Sequence, residues 1–151
     1  MSLDAQQLAR ASADAMWADD QASQAMGMAI VAVAPGTATL TMTVRDDMVN
    51  GHDICHGGHI FTLADSAFAF ACNSHNLNAV ASGARIEFLS PGRLGDVLTA
   101  VATEVSQGRR SGVYDAVVRN QDGKTVALFR GNSARIGGAL VDESTGEAIN
   151  G

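Results

Sequence analysis

Cysteine is scarce in this chain: Cys55 and Cys72 are the only two among 151 residues. Two are too few for a disulfide framework and suit a reducing compartment, the cytoplasm. Basic residues are also few, 10 against 16 acidic ones, for a net charge of −6. That balance argues against a phosphate-neutralising surface, and no nucleic-acid partner is expected. Long hydrophobic runs are missing too. The longest near-continuous apolar stretch, Met26 to Ala34, falls far short of the roughly 20 residues a spanning helix needs, so no membrane partner is expected. Residues 1–20 have no basic start followed by an apolar segment, so no secretory signal is expected. No internal repeat or low-complexity block interrupts the chain. With 46% hydrophobic and 17% charged residues, the composition is that of a folded protein, and the length fits a single domain, 1–151.

Residues 3–18 read as an amphipathic helix, with Leu8, Ala11, Ala15 and Met16 at helical spacing and Ser2 and Asp4 near its start. From Met28 the period changes. Thr37, Thr39, Thr41 and Thr43 alternate with Ala38, Leu40, Met42 and Val44, as in a half-buried strand. Pro35-Gly36 separates this strand from Met28–Ala34 and predicts a hairpin. A polar, glycine-bearing loop, 45–58, leads into a second helix from about His59 to Asn73. Its apolar residues occupy every face, which predicts a helix enclosed on all sides. Four strands follow, 80–90, 96–105, 111–119 and 125–136, separated by Pro91-Gly92, Gly108 and Asp122-Gly123. Ile86 and Phe88 alternate with Arg85 and Glu87, as expected for one covered sheet face. The small, acidic tail 137–151 is expected to fray. These elements predict an α+β fold: one antiparallel sheet of about six strands, curved around a central buried helix, with an extra N-terminal helix.

Asp65 is the residue that most needs explaining. It is the one formally charged residue between His59 and Arg85, and it lies in the helix just argued to be buried. An unpaired carboxylate there costs several kcal/mol or has a raised pKa. It either faces a wet cleft or caps a neighbouring loop, or it is a catalytic carboxylate poised by its surroundings. Gly57-Gly58 tip the balance towards catalysis. Two glycines at a helix start let something approach the backbone, and free N–H groups there can stabilise an oxyanion. Gly57 and Asp65 are eight residues apart, a rise of roughly 12 Å along a helix. One carbonyl cannot meet both groups of the same chain. Two such helices lying antiparallel across a two-fold axis would bring Gly57 of one subunit near Asp65 of the other, which predicts composite sites in a homodimer.

His52, His56 and His59 fall close together, but no HExxH pattern or CxxC pair accompanies them, and no metal is expected. Cys55 reads as a small buried thiol rather than the partner of His56. Asn50 either orients a carbonyl or a water, or stabilises its own turn with Gly51. Arg109-Arg110 is either a phosphate contact or a solvated hairpin corner.

The run Asn50-Gly51-His52, Cys55-His56-Gly57-Gly58, Phe61 and Leu63-Ala64-Asp65 resembles the PaaI-type hotdog-fold acyl-CoA thioesterases of phenylacetate degradation. The likeness continues through residues 69–74, 79–82, 88–92, 112–115 and 128–131. It implies hydrolysis of an aryl-acyl-CoA thioester, such as hydroxylated phenylacetyl-CoA, to the free acid and CoA, with no cofactor. It also implies a tetramer of hotdog dimers. By this resemblance Gly57 supplies the oxyanion-hole N–H and Asp65 the catalytic carboxylate, while Asn50 and His56 shape the thioester end. Gly58, Ser82, Arg109, Arg110 and Ser111 are assigned to substrate and CoA, with Arg85, Arg93, Lys124, Arg130 and Arg135 as further phosphate candidates. Two rival readings are a non-catalytic acyl-CoA sensor and an acyl-CoA hydratase or dehydratase using His56 with Asp65.

Overall fold

Asp4 begins the first helix as the sequence suggests. Its carboxylate accepts the Gln7 N–H at 2.8 Å while the Gln7 side chain accepts the Asp4 N–H at 2.9 Å, a reciprocal capping box. The computed structural model describes residues 2–149. Helix α1 spans Ala5–Asp19 and the short α2 spans Gln21–Ala25; strands β1 Ala29–Ala34 and β2 Thr37–Thr43 follow. Next come α3 Gly57–Cys72 and strands β3 Ala79–Phe88, β4 Val97–Gln107, β5 Ser111–Arg119 and β6 Thr125–Arg135.

The strands form one open antiparallel sheet in the order β1-β2-β4-β5-β6-β3. Its inner face carries the alternate residues anticipated for β2, namely Ala38, Leu40 and Met42, beside Leu98, Ala100 and Ala102 of β4 and Tyr114, Ala116 and Val118 of β5. Helix α3 touches all six strands, so the sheet curves around it. Burying Leu40, Leu63 or Phe68 in this core stabilises by about 1.5–3 kcal/mol each. The α+β arrangement is the expected one.

Four details differ from the sequence expectations. In α1 the buried residues are Ala9, Ser12 and Ala13 rather than the Leu8–Ala11–Ala15 line, because Ala9 and Ala13 face the hydrophobic core and Ser12 donates to the Asn76 side chain at 3.5 Å. Helix α3 starts at Gly57, two residues early. It is not enclosed all round: Gly58, Phe61, Thr62, Asp65 and Ala69 form a stripe that one chain leaves partly open. Phe88 is 53% exposed and Ile86 only half-buried, because β3 is an edge strand with a neighbour on one side only.

The fourth difference is the tail. Residues 137–149 fold back instead of fraying. Asn76, itself buried in the turn after α3, accepts the Leu140 and Val141 N–H groups at 2.9 Å and donates to the Val141 carbonyl at 2.9 Å. The Leu3 N–H reaches the Glu143 carbonyl at 2.9 Å, and Val141 is fully buried.

The two sheet edges are unlike. At the β1 edge α1 packs close by, and the Gln6 side chain donates to the Val33 carbonyl at 2.8 Å. Strand β3 offers ten residues of unpaired edge, flanked by the exposed apolar side chains Val80, Phe88 and Leu89.

Candidate active site

The loop before α3 is fastened at both ends. The His56 N–H donates to the Met48 carbonyl at 2.7 Å, and the Cys55 N–H to the Gly92 carbonyl at 2.8 Å. Inside the loop, the Asn50 side-chain oxygen accepts the His52 N–H at 3.0 Å and the Ile54 N–H at 3.4 Å. Asn50 therefore does hold its own turn. Its amide NH2 has no acceptor among the described residues, and Asn50 lines the adjoining cleft.

That cleft has a volume of about 600 Å³. Its apolar wall is Ile54, Ile60, Phe88, Leu89 and Pro91, and its polar groups include Asn50, Ser90 and the Gly57 backbone. The wall from the β3 end was not recognised as part of the site in the sequence. It lies about 30 positions from the glycine pair, and only the Pro91-Gly92 turn marks it.

His56 is the N-cap of α3, and its Nδ1 accepts the Gly58 N–H at 2.9 Å. An accepting Nδ1 in a neutral ring places the ring proton on Nε2. Two consequences follow. Gly58, expected to bind substrate, has its N–H already engaged. Among the described residues the Gly57 N–H has no acceptor, and it opens on the cleft at the positive end of a 16-residue helix. A β-carbon at position 57 would stand 2.9 Å from the Phe88 ring, so glycine is what lets the aromatic wall close over this backbone.

Asp65 lies two turns further along, half-buried on the open stripe and outside the cleft. Among the described residues nothing donates a hydrogen bond to its carboxylate. Burial pushes its pKa above the usual aspartate value. Because α3 runs unbroken through both positions, the separation of roughly 12 Å along the axis stands.

Other expected residues are dispersed in one chain. Ser82 sits on β3, its hydroxyl donating to the Asn132 carbonyl at 3.2 Å. Arg109, Arg110 and Ser111 stand at the β4–β5 turn, away from the cleft. Cys55 is 2% exposed, and burial raises its thiol to about 11, so thiolate chemistry is suppressed there. Among the described residues, no group of three His, Cys, Asp or Glu side chains is arranged to hold a metal ion.

An open antiparallel sheet curved around a central helix is the hotdog fold. Residues 52–127 match the Thioesterase superfamily, and the chain belongs to that family. It is 53% identical to the acyl-coenzyme A thioesterase PaaI of Escherichia coli K12 over 132 residues, covering 87% of this chain and 94% of the relative. The solved structure of the E. coli PaaI protein from the phenylacetic acid degradation operon superposes with a TM-score of 0.89 at 51% identity, over 90% of this chain and 99% of that one. A hypothetical thioesterase from Streptococcus pneumoniae, solved with coenzyme A, matches with a TM-score of 0.72 at 30% identity, over 74% and 90% of the two chains. Among the described residues no helix is long and apolar enough to cross a membrane.

Proposed function

We propose that this protein hydrolyses aryl-acyl-CoA thioesters, with hydroxylated phenylacetyl-CoA as the substrate class, to the free acid and CoA. The observation that carries the proposal is the unpartnered Gly57 N–H at the mouth of an apolar cleft. A thioester carbonyl seated about 3 Å from that N–H develops its negative charge against the helix dipole, and the Asn50 NH2 is a second donor within the same cleft. The apolar walls, with the Phe88 ring among them, suit an aryl group. Similarity to the E. coli acyl-CoA thioesterase supports the same substrate class.

Asp65 supplies the attacking side from a second subunit. The support is the open stripe on α3 together with the bare β3 edge. Two copies joined antiparallel through β3 form one continuous sheet, cover both stripes and set the two α3 helices antiparallel. Two such dimers make the proposed homotetramer. Asp65 then either attacks the acyl carbon, giving an anhydride that water cleaves, or removes a proton from the attacking water. Either way one water is consumed and the thiol leaves protonated, with no cofactor. The free, buried Cys55 and Cys72 support a cytoplasmic setting.

The test is release of free thiol from phenylacetyl-CoA and its hydroxylated analogues, with enoyl-CoA hydration assayed in parallel. Thiol release that survives exhaustive chelator dialysis is the expected result. Hydration without thiol release would replace the hydrolase reading, and activity restored only by added zinc would overturn the cofactor-free one.

A further inference from the structure

The segment that follows β3 forms one wall of the Gly57 cleft, and it is held at several points. The Leu89 and Ser90 N–H groups both donate to the Val126 carbonyl, at 2.8 and 3.3 Å, and the Ser90 hydroxyl donates to the Thr125 carbonyl at 2.8 Å. Pro91 confines the Ser90 backbone to extended geometry. The Gly92 carbonyl in turn receives the Cys55 N–H from the opposite wall at 2.8 Å. Ser90 is half-buried in this clasp, so its oxygen is a fixed atom of the lining.

A serine hydroxyl carries one proton and two acceptor sites. With the proton committed to Thr125, the Ser90 oxygen can only accept from a ligand. The other polar side chains of the lining have different characters. Asn50 spends its oxygen on its own turn and presents an NH2 donor. The Cys55 thiol donates to the His56 carbonyl at 3.6 Å, and burial keeps it protonated. Among the described residues, no charged side chain lines the cleft. Donors thus gather at the helix mouth, and the side-chain oxygen acceptor stands on the β3 side. Phe88, which lies over Gly57, precedes Ser90 by two residues, about 7 Å of extended chain. That span is comparable to the reach of a phenylacetyl group from its carbonyl to a ring substituent.

We propose that Ser90 sets acyl specificity: its Oγ accepts a hydrogen bond from a ring hydroxyl of the aryl-acyl group, so the site favours a neutral phenolic ring. This rests on the hydrolase reading above. A ring hydroxyl brings the donor that the Ser90 oxygen lacks. A methoxy group at the same position sets a second acceptor against it, and a ring carboxylate finds neither a cation nor a donor there.

The test measures kcat/KM of wild type and S90A on phenylacetyl-CoA, on its 3- and 4-hydroxy derivatives and on the matching methoxy derivatives. Losing the hydrogen bond to Thr125 acts on all five substrates alike, so the readout is each ratio to phenylacetyl-CoA. At the ring position that Ser90 meets, S90A should lower the hydroxy ratio about three- to tenfold and raise the methoxy ratio. A loosened wall or simple relief of crowding moves both ratios in one direction. Ratios that do not move oppositely at either ring position overturn the role of Ser90. If wild type releases thiol from none of the five, hydrolysis falls, and the same uncleaved thioesters become calorimetric ligands. Opposite shifts in their Kd ratios then support Ser90, and parallel or absent shifts overturn it.

Discussion

The Phe88 ring lies so close over Gly57 that a β-carbon on the glycine would approach it to 2.9 Å. An edge-strand aromatic thereby fixes what residue 57 can be, and the substitution Gly57→Val both displaces the ring and crowds the N–H. Thiol release by Gly57→Val should be nearly lost. Co-expressed with Asp65→Asn it should recover a substantial fraction of one site's activity, because one interface in each mixed dimer then has both normal partners. Verified mixed dimers without recovery would place the two groups in one chain.

Asp65→Asn keeps the side chain's shape and removes its basicity, so turnover should drop at least about 100-fold. Stability should move the other way. Burial raises the folded pKa of Asp65 above its unfolded value, so ionising it opposes folding. The stability of the protonated carboxyl is fully present below the unfolded pKa and is lost as pH rises through the folded one. The Asn variant should therefore melt at a higher Tm than wild type at neutral pH, with the gap closing on acidification. A pH-independent Tm difference would remove burial as its cause.

His56→Ala deletes the acceptor for the Gly58 N–H and should cost about 1 kcal/mol in chemical denaturation. With the first turn of α3 loosened, kcat should fall as well. His56→Asn retains an N-capping oxygen and should restore stability. Recovery of kcat with that variant assigns His56 to holding the helix start, and continued loss of kcat assigns its Nε2–H to the reaction.

Gly131→Ala tests the core away from the site. Its β-carbon would meet the tip of the Phe68 ring at 2.9 Å, and that ring is confined by Tyr114 and Phe129, each with centroids 5.8 Å away. Overpacking there should cost about 1–3 kcal/mol, read as a lower denaturation midpoint, and Phe68→Leu in the same chain should return part of it.

Much of this was legible because it is local. Pro35-Gly36 and Asp122-Gly123 announce their turns, and the threonine alternation of β2 fixes its inner face. Asp65 stood out because a lone charge in an apolar helix has few uses. What escaped reading depends on contacts distant in sequence. The tail looks featureless until Asn76, more than 60 positions earlier, receives it. The cap on Gly58 comes from a histidine, outside the usual capping set, so its N–H seemed available. The apolarity of α3 on every side was real, but one chain does not cover every side. A sequence records that a face is to be buried without recording which molecule buries it.

Strand order also has a consequence in time. β3 is made third and pairs with β6, made last, whereas β1–β2, β4–β5 and β5–β6 join neighbours in the chain. A chain emerging from the ribosome can close those hairpins as they appear, but β3 must wait more than 30 residues for its partner and bear the loop-closure entropy of that wait. Until β6 arrives, Phe88 has no fixed place over Gly57 and the edge that would receive a second copy does not exist. The cleft is thus among the last features to form, and a chain halted before residue 125 carries Asn50 and Gly57 without the Phe88 wall that closes over them.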